Sequence, residues 1–329
     1  MDYQATSTDA IIATALEWHR SGRGAVLATV IETWGSSPRQ AGSQLAVSGQ
    51  GHIIGSVSAG CVEAAVIGEA LEAFAAQTPR ICSYGVSDET AFAAGLACGG
   101  NIRILVEPVA FAQNEAHLGA LVRAQVDKRP MASSVNLQTF ASQLWAHGED
   151  PAIDAVLRND RAVVDDSNCF IMPHNPALRL VIVGAVHIAQ PLAAMARMVN
   201  FDPVIVDPRE TFATTERFAG HVIVTDWPDA ALSALKPDAR TAVVLLSHDP
   251  KLDDPALHIA LQSQAFYIGA LGSKKTNAKR VERLVASGVS DAQIARIHAP
   301  VGAAIGAKSP AEIAISILAQ MIQVLRAAP

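Results

Sequence analysis

The sequence predicts an α/β protein of two domains, the second built on a doubly wound parallel sheet. Three observations carry this. The chain has 329 residues, 50% hydrophobic and 17% charged, enough apolar material for two buried cores. From residue 180 onward, short β-branched runs alternate with helical segments. The first of those runs ends at a glycine that leads straight into a helix.

The elements of the first half follow in order. Residues 9–20 have helical spacing and are closed by Gly22, and residues 25–33 (AVLATVIET) form a strand. The polar turn WGSSPR leads to residues 44–48 and 52–57, which flank SGQG as a hairpin. Residues 62–76 form a helix with Val62, Val66, Leu71 and Phe74 available for its apolar side. Residues 81–84 and IRILVEP complete an α/β layer of mixed strands. IMPHNPALR at 171–179, with two prolines, reads as an extended linker, placing the domains at 1–172 and 173–329.

In the second half, residues 180–183, 204–206, 222–224, 242–246 and 265–268 are the candidate parallel strands, apolar because both faces are covered. Ser309, Pro310 and Glu312 form a capping box for the last helix. Its body, IAISILAQMIQVL, is apolar almost all round, so burial on more than one side is expected, against the sheet or a second subunit.

The formal charge of −6 excludes a general nucleic-acid-binding surface, so any anion site is local. The start, MDYQATSTDA, has neither a basic n-region nor an apolar h-region. No run reaches the roughly 18 apolar residues of a membrane span, so a cytoplasmic protein is expected. Cys61, Cys82, Cys98 and Cys169 form no C-x-x-C pair and are expected to be reduced thiols.

The most pointed chemistry is GSVSAGCVE at 55–63. It places Cys61 in the expected first helical turn, where unpaired N–H groups and the helix dipole favour a thiolate or another anion. A cysteine among small residues also serves simply as a compact buried side chain. In LVIVGAVHIAQ, Gly184 ends a strand, and Asp207 closes the next one about 20 residues on, as in the first βαβ unit of a Rossmann dinucleotide fold. Val186 occupies the place of the central fingerprint glycine and is expected to crowd a dinucleotide. At the carboxyl ends of later strands stand Ser247, His248 and Asp249, then Gly272, Ser273 and Lys274 ahead of a helix bearing Lys275 and Arg280. These suit a phosphate cradle, or equally a capped turn and a solvated basic face.

Taken together, GSSPRQAG (35–42), GSVSAGCVE, CGG (98–100), VIVGAVHIA, VDPRETFA (206–213), SHDP (247–250), YIGALGSKKT (267–276) and IHAPVGAAIGAKSPAEIAISILA (297–319) resemble the XdhC/CoxF family of xanthine dehydrogenase accessory proteins. The resemblance spans nearly the whole chain. It implies an N-terminal XdhC-type α/β domain carrying the cysteine motif, a C-terminal Rossmann-like domain, and a homodimer. It also implies the work of a chaperone, which binds molybdenum cofactor, as molybdopterin or its cytosine dinucleotide, and protects it while a cysteine desulfurase exchanges oxo for sulfido. The cofactor then passes to a molybdenum hydroxylase of the xanthine dehydrogenase family.

On that resemblance the cofactor-binding set is Arg39, Ser58, Gly60, Cys61, Glu63, Cys98, Gly184, His187, Asp207, His248, Asp249, Gly272, Ser273 and Lys274. Cys61, a soft ligand, contacts molybdenum, and no residue is catalytic. The family pattern has glycine at Ala59 and Val186 and an acid at Ala304, so this chain departs from it in the proposed ligand regions. Three other readings remain: an NAD(P)-dependent oxidoreductase, an enzyme with Cys61 as nucleophile and His52, His187 or His248 as base, and a regulatory scaffold without cofactor.

Overall fold

The computed structural model describes residues 8–34, 39–58, 60, 62–85, 101–109 and 112–327, and divides the chain into two compact units, Met1–Pro176 and Ala177–Pro329.

The first unit contains two sheets whose neighbouring strands all run antiparallel, where the sequence suggests one layer of mixed strands. The five-stranded sheet comprises β1 (Ala25–Trp34), β2 (Gln44–Ser48), β3 (Ile53–Gly55), β4 (Arg80–Tyr84) and β5 (Asn101–Pro108), in the order β3-β2-β1-β5-β4. Alternation along β1 sets its two faces. Val26, Ala28 and Val30 join Val66, Ala70 and Ala73 of helix α2 (Glu63–Ala76). Ala25 and Leu27 join Ile12, Ala15 and Leu16 of α1 (Thr8–Arg20), together with Leu118 and Leu121 of α3 (Ala112–Val126).

The second, four-stranded sheet comprises β6 (Met131–Asn136), β7 (Ser142–Ala146), β8 (Val163–Val164) and β9 (Cys169–His174), in the order β7-β6-β9-β8. Helix α4 (Pro151–Asn159), capped by Asp150, packs Ile153, Val156 and Leu157 against Ala132 and Ile171. Both sheets line a cavity of about 80 Å³ whose walls include Glu107, His117 and His174. The expected linker is largely strand: β9 pairs with β6 as far as His174, and the two units divide after Pro176.

The second unit holds β10 (Leu178–Val183), β11 (Phe201–Val206), β12 (Val222–Val224), β13 (Thr241–Leu245), β14 (Tyr267–Ala270) and β15 (Ile297–His298). Their order, β12-β11-β10-β13-β14-β15, with every pair parallel, is that of a Rossmann sheet. Helices α5 (Ala189–Met198), α6 (Pro228–Leu235), α7 (Pro250–Gln262), α8 (Lys274–Ala286), α9 (Asp291–Ile294) and α10 (Pro310–Ala327) complete it. One core joins Leu180 and Ile182 of β10 to Leu192 of α5 and Ile317 and Met321 of α10. The other joins Val181 and Val183 to Leu232 of α6, Leu257 and Leu261 of α7, and Leu284 of α8.

The capping box of α10 forms as expected: Glu312 accepts from the Ser309 amide at 2.9 Å and donates its own amide to Ser309 Oγ at 3.3 Å. Within this chain α10 is buried along one side, and Ile315 remains 48% exposed. No helix among the described residues is long and apolar enough to cross a membrane.

Candidate functional site

In the first unit, the candidate loop hangs on one carboxylate. Glu63, the first residue of α2, takes hydrogen bonds from Ser56 Oγ at 2.7 Å and the Ser58 amide at 2.9 Å on Oε1. Its Oε2 accepts from Ser58 Oγ and, at 2.8 Å, from the Gly60 amide. Partial burial alone would raise its pKa. The hydrogen bonds from Ser58 and Ser56, then the amides, outweigh burial and hold it down at about 2. Ser58, 2% exposed, also accepts from the Val62 amide at 3.0 Å.

The loop therefore closes around Glu63 from both sides, and the helix begins at Glu63 with Val62 at the N-cap. Cys61, Ala59 and Cys98 lie outside the described residues.

Gly55 makes the entry to this loop possible. With φ at +91°, it passes so close to β2 that an added Cβ would fall within clashing distance of the Gln44 carbonyl and the Ile11 side chain. Beside it lies a polar cleft of about 350 Å³ lined by Arg39, Gln40, Gly55, Ser56, Asp160 and Arg161, among others. The structure thus brings Arg39 to Ser56, a direct partner of Glu63. Arg161 carries no sequence signal for this site; it follows Asp160, which ends α4 in the left-handed conformation at φ 50°, and only the tertiary fold carries it to the cleft.

In the second unit, Gly184 ends β10 at φ +103°, where an added Cβ would lie 2.8 Å from the Ser247 amide nitrogen. Asp207 is fully buried, and both of its oxygens are engaged. Oδ1 accepts from the Arg209 amide at 3.0 Å and Nε at 2.8 Å; Oδ2 accepts from Arg209 Nη2 at 2.7 Å and the Ala185 amide at 2.8 Å. Burial would raise its pKa, but Arg209 and the two amides outweigh this and lower it. Arg209 stacks over Phe212, and Arg217 donates to the Ala185 carbonyl at 2.8 Å.

The first βα turn is thus tied down by the protein's own side chains. Asp207 serves here as an internal strut, and Val186 packs toward the core where a glycine would admit pyrophosphate. These residues do not fit a dinucleotide bound in the Rossmann manner. His187 is exposed just before α5.

Two further expected ligand groups act as helix caps. Asp249 accepts from the Lys251 amide at the start of α7, and Ser273 from the Thr276 amide at the start of α8. Gly272, at φ +146°, leads into the Ser273 cap. Lys274 and Lys275 are both exposed, but only Lys275 lines a cleft, which it shares with His248, Asp253, Lys279 and Arg280. His248 is therefore brought to the basic helix, whereas Lys274 is not among the residues lining that cleft. Among the described residues, no group of three or more His, Cys, Asp or Glu side chains has the arrangement of a metal site.

Known proteins share this architecture. A sequence model of the XdhC Rossmann domain matches residues 180–321, and one of the XdhC and CoxI family matches residues 18–85. The molybdenum cofactor insertion chaperone PaoD of Escherichia coli (strain K12) is 32% identical, over 98% of this chain and 91% of that protein. A probable xanthine dehydrogenase subunit of Bacillus subtilis (strain 168) is 28% identical, over 91% of this chain and 92% of that protein. The crystal structure of a xanthine dehydrogenase from Bacillus halodurans superposes with a TM-score of 0.80 at 27% identity, covering 98% of this chain and 97% of that one.

Proposed function

This chain belongs to the XdhC and CoxI family, and from that premise we propose that it binds molybdenum cofactor and inserts it into a molybdenum hydroxylase of the xanthine dehydrogenase family. The observation that carries the reading within the molecule is the loop fastened by Glu63. A carboxylate with four donors fixes Ser56, Ser58 and Gly60 before any ligand arrives, so the motif that contains Cys61 is pre-organised at both flanks.

Arg39 and Arg161, with the carboxylate of Asp160 also in the lining, give the adjoining cleft two guanidinium groups that suit an anionic ligand. When bound, the cofactor supplies a molybdenum centre whose oxo ligand is exchangeable for sulfido. The chain's own part is to hold the cofactor in place, with Cys61 as the soft group near the metal, while a cysteine desulfurase acts and until the hydroxylase accepts it. The working assembly is a homodimer. The engagement of Asp207 with Arg209 and Ala185 counts against an NAD(P)-dependent oxidoreductase.

The test is anaerobic purification from a molybdenum-replete host, with metal analysis and fluorescence of the oxidised pterin. Near-stoichiometric molybdenum and pterin in the parent protein, with a large drop in Cys61→Ser, is the expected result. Protein that carries neither, even after incubation with excess cofactor, overturns the proposal and favours the scaffold reading. Full loading and full partner activation by Cys61→Ser would remove Cys61 from it.

A further inference from the structure

The cleft shared by α7 and α8 holds more positive charge than its surroundings neutralise. About 230 Å³ in volume, it is lined by the exposed Lys275 and Lys279, by Arg280 and Arg283, and by His248, with Asp253 as its one carboxylate, in a chain whose net charge is −6. Arg283 is matched by Asp254, through bonds of 2.5 and 2.9 Å. Lys275 and Lys279 are not matched: among the described residues neither ammonium enters a hydrogen bond or an ion pair. They stand four residues apart on one helix, a like-charge spacing that costs stability.

Arg280 is the stronger sign. It is 2% exposed, yet of its five donors only one makes a short bond, from Nη2 to the Leu271 carbonyl at 2.9 Å. Its contacts to Asp253 Oδ2 and Asn277 Oδ1 are both 3.4 Å, and Nε has no partner. Asp253 is itself drawn toward Ser247, whose hydroxyl donates to it at 2.5 Å. A guanidinium removed from water is costly unless its donors are satisfied. A cation left short of acceptors beside two unpaired lysines, at the positive end of α8, has the makings of an anion site.

We propose that this cleft binds a phosphate-type dianion, the phosphomonoester or diphosphate end of a ligand. Pro250 is the one apolar residue in its lining, so it offers no wall for a ring system and recognises the charged end alone. The inference rests on the cleft and stands apart from the cofactor reading. The phosphate belongs either to the bound cofactor or to a separate phosphorylated compound, and the test distinguishes them.

Calorimetric titration of the full-length protein with inorganic phosphate and with pyrophosphate, in metal-free buffer at low chloride, is the first arm. Saturable one-to-one binding is expected, weakened about tenfold or more in Lys275→Gln/Lys279→Gln and unchanged in Arg326→Gln, an exposed control at the end of α10. No binding, or binding insensitive to the double substitution in a protein that melts like the parent, overturns the proposal. The second arm measures cofactor loading of the same double variant. Joint loss of pyrophosphate binding and loading assigns the site to the cofactor's phosphate. Lost pyrophosphate binding with retained loading assigns it to a separate phosphorylated compound.

Discussion

Glu63 and Asp207 play the same part in different units, and they differ in what they use to do it. Each is a carboxylate that gathers the donors of a glycine-containing turn and is held below its ordinary pKa by doing so. Asp207 draws on a guanidinium and two amides, which leaves its turn electrically balanced and closed to ligand. Glu63 draws on two hydroxyls and two amides, all neutral, so its loop keeps a full negative charge. The pairing of Asp207 is architecture in a fold where that position commonly reads a ligand. The loop of Glu63 is fastened by neutral donors alone, and it is the loop that carries the thiol.

The largest way to break this comparison is Asp207→Ala. It leaves the buried Ala185 amide without its acceptor and the half-buried Arg209 without its partner, at a cost of about 2 kcal/mol. The second unit is expected to lose that much by urea unfolding, with little change in the chemistry of Cys61. A loss below about 1 kcal/mol would mean that Asp207 is not the strut described.

Glu63→Gln sharpens the other side. It removes the loop's charge and at least one good acceptor while keeping the side chain's size, so a modest fall in thermal stability is expected alongside a loss of cofactor loading of about tenfold. The charge of Glu63 also predicts that Cys61 alkylates faster in this variant, because a nearby carboxylate disfavours the thiolate. Unchanged alkylation would show that the charge does not reach the thiol.

Because the Glu63 pKa is depressed, its contribution is fully present above its ordinary 4.5 and is lost as pH falls through about 2. Protection of the Gly60 amide from exchange at pH 4.5 but not near pH 2 is expected. Loss of protection already at about pH 4 would contradict the hydrogen-bonded carboxylate.

A third carboxylate, in the cavity of the first unit, is held the opposite way: burial pushes Glu107 up to about 7, and His174 of the same cavity down to about 4. Glu107 favours its protonated form in the folded state, so its contribution falls as pH rises from about 4.5 to 7. His174 favours its neutral form, so its contribution falls as pH drops from about 6.5 to 4. The two trends oppose each other, and a flat stability profile between pH 4.5 and 6.5 is expected from this pair. Glu107→Gln removes one of them, giving a gain that grows toward about pH 8 and vanishes below about pH 4.5. A pH-independent effect would place that carboxyl in water.

The parallel sheet is readable from sequence because strands covered on both faces must be continuous apolar runs, and the run at residues 222–224 coincides with β12 to the residue. The second sheet of the first unit is not. MASSVN and SQLWA are short and mostly half-buried, and their polar residues fall side by side, so no two-residue alternation separates them from loop. The start of α2 falls one residue later than its apolar spacing suggests, where Ser58 takes the Val62 amide and Glu63 takes the Ser58 amide. Spacing alone does not tell Lys274 from Lys275 as the lysine of the cleft, since helical phase near a terminus depends on the cap. Arg209 stands in plain view two residues after Asp207, and an acid and an arginine so close are the available signal for an internal ion pair.

The acidity of Glu63 also fixes a proton count. A carboxylate that is ionised down to about pH 2 has no proton to release when a ligand settles beside its loop. Metal ligation by a thiol, in contrast, liberates one proton per thiolate formed from the neutral group. Within the 55–63 motif that proton has a single source, Cys61. A stoichiometry of protons released per molybdenum bound, compared between the parent chain and Cys61→Ser, would therefore separate a thiolate bond to the metal from a thiol that only stands near it.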